Sequence, residues 1–213
     1  MLRHLFWRRA LRPRLGQPKQ LVEFHGERLV DRAIRIAHEA GASPIFVVLG
    51  ADYPSILKAL EERADLRSAT AQVRILINKS WEGGMSSSIA QGTAAAVHVG
   101  ADDLLILTCD QPAVTPEHLL RLIDTSKREH VVASHYAGRR GVPALFPEFA
   151  FHALQELNGD SGARDVLQEG AVLTVPLSEG DFDLDTPADL AHLHRMEGPL
   201  RVRINSSSVV ASE

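Results

Sequence analysis

Leu104-Leu105-Ile106-Leu107-Thr108-Cys109-Asp110-Gln111-Pro112 reads as a buried strand halted by proline, with an acid held at its carboxyl end. A continuous apolar run without polar alternation suits a strand covered on both faces, the habit of parallel sheets in α/β proteins. Ile45-Phe46-Val47-Val48-Leu49, cut off by Gly50, has the same character. Between and around these runs the apolar period changes to that of helices. Leu29, Val30, Ala33, Ile34 and Ala37 form one stripe within residues 26–40, closed by Gly41. Further helices are expected over 53–64, 86–99 and 116–128, the last with Thr115 as N-cap. The alternation predicts a three-layer, Rossmann-like α/β fold: a mostly parallel sheet with helices on both faces.

The remaining strands are expected at 73–77, 131–136, 142–146 and 172–176, with a turn at 137–141 between the second and third. Helices are expected near 148–157, from Ala163 and after Pro187. Residues 14–196 form one domain in this reading, preceded by a basic segment, 1–13, and followed by an aperiodic tail, 197–213.

Composition narrows the class of function. Of 213 residues, 45% are apolar and 23% charged, the balance of a chain that folds around a core. A single cysteine, Cys109, excludes an internal disulfide and argues against Cys-ligated zinc. No run approaches the roughly 20 apolar residues that span a bilayer, and the start lacks a secretory apolar core. The expectation is a cytoplasmic protein with no membrane partner. Lys and Arg total 23 against 27 acids, and six of the 23 fall in the first 20 residues, where there is no acid. The rest of the chain is thus strongly acidic, which disfavours nucleic acid as its partner.

In an open parallel sheet, ligands bind beyond the carboxyl ends of the strands, so Asp110 is a candidate site residue. A second acidic cluster, Asp181-Phe182-Asp183-Leu184-Asp185-Thr186-Pro187-Ala188-Asp189, lies between the last strand and the last helix. Two carboxylates meeting at one rim suit Mg²⁺, which takes oxygen ligands and shares its octahedron with phosphates. The alternative for Asp185-Thr186-Pro187 is a helix cap with proline in the first turn, and for Asp110 an ordinary strand-end turn. The loop Asn78-Lys79-Ser80-Trp81-Glu82-Gly83-Gly84-Met85-Ser86-Ser87-Ser88-Ile89 joins a strand to a helix. Its glycines permit close backbone approach, and its serines present hydroxyls and N–H groups at a helix start, either as caps or as contacts to a base or anion. Trp81 is read as an anchor for this loop, and Cys109 as a small buried neighbour of Asp110. His192 and His194 fall on different faces of a helix, a poor metal pair. No Gly-x-Gly-x-x-Gly follows a strand, which disfavours a dehydrogenase.

Several segments, in this order, resemble the molybdenum cofactor cytidylyltransferases, MobA-like nucleotidyltransferases of the nucleotide-diphospho-sugar transferase fold. They are Arg14-Leu15-Gly16-Gln17-Pro18-Lys19-Gln20-Leu21, Asn78-x-x-Trp81 with Gly84-Met85-Ser86-Ser87-Ser88-Ile89, Asp110-Gln111-Pro112, Gly138 with Gly141-Val142-Pro143, Gly159-Asp160-Ser161-Gly162-Ala163-Arg164, and Asp183-Leu184-Asp185-Thr186-Pro187. The resemblance implies transfer of CMP from CTP to the terminal phosphate of molybdopterin, with pyrophosphate leaving. By that resemblance Asp110 and Asp185 hold Mg²⁺ and Lys19 offsets triphosphate charge. Arg14, Gly16 and Gly84 belong to the substrate-binding loops, Ser87 or Ser88 helps recognise cytosine, and Asp160 and Arg164 lie toward the pterin. The implied recipient of the product is a xanthine-dehydrogenase-type molybdoenzyme.

Residues 1–13 depart from the pattern. The family opens with a strand and phosphate loop of the form Leu-Ala-Ala-Gly-x-Ser-x-Arg-Leu-Gly, where this chain has Trp7-Arg8-Arg9-Ala10-Leu11-Arg12-Pro13 before Arg14. Arginines cannot replace the glycine that lets backbone N–H groups cradle phosphate, and Pro13 removes one such group. Codons for Phe6 to Pro13 can be chosen that, regrouped out of phase, read Leu-Ala-Ala-Gly-Ser-Ser-Ser and run on into Arg14. A frameshift therefore accounts for the basic head, the alternative being an authentic basic extension. With the head as written, triphosphate binding is expected to be weak. That leaves a non-catalytic pterin-binding or carrier protein, and a guanylyl or sugar-phosphate nucleotidyltransferase, as competing readings.

Overall fold

The computed structural model describes residues 17–62, 73–168, 170–184 and 186–196. The basic segment 1–13 and the tail 197–213 lie outside them, as do Arg14, Gly16 and Asp185.

A 3-10 turn at Lys19–Leu21 leads into a small antiparallel ribbon, β1 (Glu23–Phe24) and β2 (Glu27–Arg28), that the periodicity did not predict. Helix α1 (Leu29–Glu39) follows directly and buries Leu29, Val30, Ala33, Ile34 and Ala37, the stripe read from sequence. Next come β3 (Ile45–Leu49), α2 (Tyr53–Glu61), β4 (Val73–Ile77), α3 (Met85–His98) and β5 (Asp103–Ile106). Helix α4 (Pro116–Ser126) starts where expected, the Thr115 hydroxyl accepting the His118 N–H at 3.3 Å. Strands β6 (Val131–Tyr136) and β7 (Arg139–Pro147), helices α5 (Phe151–Gln155) and α6 (Ala163–Gln168), β8 (Val172–Pro176) and α7 (Pro187–Met196) complete the chain. The helix expected over 148–157 divides into a 3-10 turn, Glu148–Ala150, and the short α5.

The strands are layered between two apolar clusters. In β3, Ile45, Val47 and Leu49 face one cluster and Val48 the other. On the β5 segment, Leu105 and Leu107 face the first, and Leu104 and Ile106 the second. Helices α1, α2, α4 and α7 contribute to the first cluster and α3, α5 and α6 to the second, so helices cover both faces. This explains the unbroken apolar runs: a strand buried on both sides has no solvent face on which to place polar residues.

Strand direction corrects the expectation. Among the described residues β3–β4 and β6–β8 pair in parallel, whereas β5–β7 and β6–β7 are antiparallel, in the order β5-β7-β6-β8. The physical reason is the short turn at Ala137-Gly138. A parallel crossover needs a dozen or more residues, while two suffice for a hairpin. The strand arrangement is mixed, and among the described residues no hydrogen bonds join the pair β3–β4 to the four-stranded group β5-β7-β6-β8.

Candidate active site

Asp110 sits four residues beyond the end of β5 and is 2% exposed. Its Oδ2 accepts a hydrogen bond from Lys19 Nζ, an ion pair between the first described turn and the strand end. Its carbonyl accepts the Leu184 N–H at 3.1 Å, which brings Leu184 beside it. Asp185, expected to share a metal ion with Asp110, lies outside the described residues. The cap of α7 falls to its neighbours: the Thr186 hydroxyl accepts the Asp189 N–H at 3.2 Å, and Asp189 accepts the Thr186 N–H at 2.7 Å.

The loop before α3 is held by Asn78, whose amide nitrogen donates to the Ser87 and Ser88 hydroxyls at 2.8 and 2.9 Å. The Asn78 N–H in turn donates to the Leu49 carbonyl at 2.7 Å, so the loop starts from the paired ends of β3 and β4. The Ser87 hydroxyl donates to the Gly84 carbonyl at 2.8 Å, and no serine side chain caps the helix. Both hydroxyls offered as cytosine contacts are therefore engaged within the loop. Trp81 packs on Gly50, where an added Cβ would lie 2.8 Å from its own Cβ, consistent with a loop anchor.

Gly84 and the Gly159–Arg164 segment are brought into contact. Gly84 has φ +102°, and a Cβ on it would fall 2.0 Å from the Gly159 carbonyl oxygen. Only glycine allows that approach.

Between these parts opens a cleft of about 290 Å³. Asp110, Asp160 and Arg164 line it, with Met85 and Ile89 as part of its apolar surface, whereas Gly84, Ser87 and Ser88 are not among its lining residues. Gln111, Tyr136, Arg139 and Asp183 also line it, residues to which sequence reasoning assigned no role. The signal for Tyr136 was Gly141: a Cβ there would lie 2.1 Å from the Tyr136 hydroxyl oxygen. That hydroxyl donates to the Val142 carbonyl at 3.0 Å and accepts from the Gln111 amide at 3.3 Å. Burial pushes the Tyr136 phenol up from its ordinary value, so it stays protonated and neutral. Burial, and then the neighbouring Asp110 charge, push the Cys109 thiol well up, leaving it an inert apolar neighbour. Among the described residues no group of three or more His, Cys, Asp or Glu could by itself hold a metal ion, and no helix is long and apolar enough to cross a membrane.

A family model described as "MobA-like NTP transferase domain" matches residues 13–174. The purine catabolism protein PucB of Bacillus subtilis (strain 168) is 28% identical over 189 residues, 85% of this chain and 90% of its own. The nicotine blue oxidoreductase of Paenarthrobacter nicotinovorans is 30% identical over 165 residues, 73% of this chain and 76% of its own. Rv0371c of Mycobacterium tuberculosis H37Rv, whose crystal structure superposes with a TM-score of 0.73 at 24% identity, covers 91% of this chain and 98% of its own. That protein has also been crystallised as a manganese complex, with a TM-score of 0.68, 24% identity, and coverage of 90% of this chain and 96% of its own.

Proposed function

The chain belongs to the family of MobA-like NTP transferase domains, and on that premise we propose that it transfers CMP from CTP to the terminal phosphate of molybdopterin. The observation that carries the reading is the rim of β5, where Lys19 and Asp110 pair and the Leu184 N–H is bonded to the Asp110 carbonyl. The cleft that opens from this rim is large enough for a small acceptor and carries both cations and carboxylates.

In the reaction an oxygen of the acceptor phosphate forms a bond to the α-phosphorus of CTP, and the bond from that phosphorus to pyrophosphate breaks. Two anions must meet, so positioning and charge neutralisation supply most of the catalysis. The acceptor phosphate is already ionised near neutral pH, and no side-chain base is needed. The donor set at the rim fits Mg²⁺. Asp110 offers hard carboxylate oxygens, and such a site needs only one or two carboxylates when phosphates complete the shell. Asp110 and Asp185 are the residues that would hold it, and bound there it neutralises phosphate oxygens. Lys19, kept at the rim by Asp110, adds a positive charge toward the triphosphate. Asp160 and Arg164, across the cleft, face the acceptor. The product would serve a xanthine-dehydrogenase-type molybdoenzyme.

The test is pyrophosphate release from CTP with Mg²⁺ and molybdopterin, with Asp110→Ala as control. Release with CTP that is lost in the variant supports the reading. Faster release with GTP would assign guanylyl transfer instead, and pterin binding without release from any nucleotide would indicate a carrier.

A further inference from the structure

On the β6–β7 hairpin, the Arg139 guanidinium carbon stands 5.6 Å from the centroid of the Tyr136 ring. Tyr136 is held from both sides, its hydroxyl bonded to Val142 and to Gln111, and the Gln111 amide is itself fixed on the Gly180 carbonyl at 2.9 Å. The ring is thus held in place, and Arg139 above it lines the cleft with Tyr136. Across the cleft stands Arg164. Among the described residues no salt bridge pairs either arginine; of the acids that line the same space, Asp160 and Asp183 each have another interaction and Asp165 accepts the Gly162 N–H at 3.1 Å. Met85, Ile106 and Val142 provide apolar surface between them.

These features specify a ligand. An apolar floor between polar walls takes a flat ring system, guanidinium edges read oxygens, and carboxylates read N–H groups. A conjugated heterocycle with a carbonyl edge satisfies the apolar floor and the guanidinium wall at once. Gln111 directly follows Asp110 and holds Tyr136, so this wall is coupled to the rim where phosphate chemistry is placed.

We propose that Arg139, stacked on Tyr136, is the acceptor-selecting residue of the cleft and donates paired N–H bonds to the oxygen edge of the acceptor's heterocycle. The proposal rests on the cleft being the acceptor site of the transferase read above, and it assigns to the hairpin a specificity role that is separate from nucleotide binding.

The experiment follows binding of 6-hydroxymethylpterin and its phosphate ester by their own fluorescence, in the full chain and in Arg139→Gln and Arg139→Lys. Arg139→Gln is expected to weaken both ligands about tenfold, the scale of a lost charge-assisted pair. Arg139→Lys, which keeps the charge but not the planar fork, should recover less than half of that loss on a logarithmic scale. Calorimetric binding of CTP with Mg²⁺ should stay within about twofold of the parent, because the hairpin does not hold the nucleotide. Unchanged pterin binding in Arg139→Gln overturns the proposal, as does full recovery by lysine, or a loss confined to the phosphate ester. If the parent chain binds CTP but neither pterin, this inference fails while the nucleotide half of the functional reading stands. If pterin binding depends on Arg139 but no CMP is transferred, the converse holds.

Discussion

Ser86 and Gly159, 73 residues apart, are joined twice: the Ser86 hydroxyl donates to the Gly159 carbonyl at 2.7 Å, and the Ser86 N–H at 3.3 Å. The start of α3 and the Gly159–Arg164 segment therefore share one oxygen as their hinge point, and Gly84 lies against the same carbonyl. A methyl group at Gly84 must displace that backbone, and at φ +102° it is also strained. Gly84→Ala should destabilise the protein by about 2–4 kcal/mol. Gly159→Ala meets no atom within 4 Å and carries only the cost of φ +60°, about 1 kcal/mol. Ser86→Ala should cost about 1 kcal/mol through one lost hydrogen bond. Urea denaturation of the three variants checks the order, and equal effects for both glycines would contradict the contact.

Lys19 and Asp110 are 10% and 2% exposed, so their ion pair is shielded from water. Removing the ammonium leaves the carboxylate in place without it, and the expected loss for Lys19→Ala is about 3 kcal/mol. The double variant Lys19→Ala with Asp110→Ala should be less destabilised than the sum of the two single changes. A double-mutant cycle by denaturation measures this coupling, and additive effects would show that the pair contributes nothing to the fold.

His118 is buried beneath β6, its Nε2 2.7 Å from the Ser134 hydroxyl oxygen. Ser134 donates its one proton to the Pro143 carbonyl at 2.6 Å, so it must accept from the imidazole, which fixes the proton on Nε2. The remaining ring nitrogen then accepts from Arg121 at 3.2 Å. Burial, with the Arg121 charge second, lowers the imidazole from 6.5 to about 4. Below pH 6.5 the unfolded chain thus binds more protons at this residue than the folded one. The contribution is fully present above pH 6.5, falls as pH drops toward about 4, and is lost below that. Its total is on the order of 3 kcal/mol. Urea midpoints between pH 7.5 and 4 should fall more steeply for the parent than for His118→Gln, and parallel curves would refute the assignment.

Most helices and strands were legible because burial imposes period. The stripe of α1 and the unbroken runs of β3 and β5 each encode how many of their faces are covered. Strand direction was not legible, because an apolar run looks alike in either orientation; Ala137-Gly138 held the only local clue to the hairpin. At the site, Asp110 could be found from its place after a strand. Tyr136 and Arg139 could not, because their place in the cleft depends on a hairpin folding back beside a distant strand end. Three hydroxyls at the start of α3 read from sequence as caps or as ligand contacts; Asn78 engages those of Ser87 and Ser88 and Gly159 that of Ser86, and the last contact exists only once residue 159 is folded against the helix.

If the chain acts on CTP as proposed, residues 7–13 are expected to decide how well it binds the triphosphate. Backbone N–H groups cradle phosphate only where side chains are small, and Arg8, Arg9, Arg12 and Pro13 occupy the stretch before Arg14-Leu15-Gly16. Replacing residues 7–13 with Leu-Ala-Ala-Gly-Ser-Ser-Ser supplies the missing glycine and N–H groups and removes three positive charges. Coulomb attraction alone predicts that losing those charges weakens CTP binding, whereas a restored cradle predicts tighter binding, so the two accounts differ in sign. We expect the cradle to prevail, with an affinity for CTP and Mg²⁺ at least about tenfold higher, the scale of one or two added charge-assisted bonds. Calorimetry on the two chains measures it. Weaker or equal binding in the repaired chain would establish the arginine-rich head as a working part of the protein and remove the case for a frameshift.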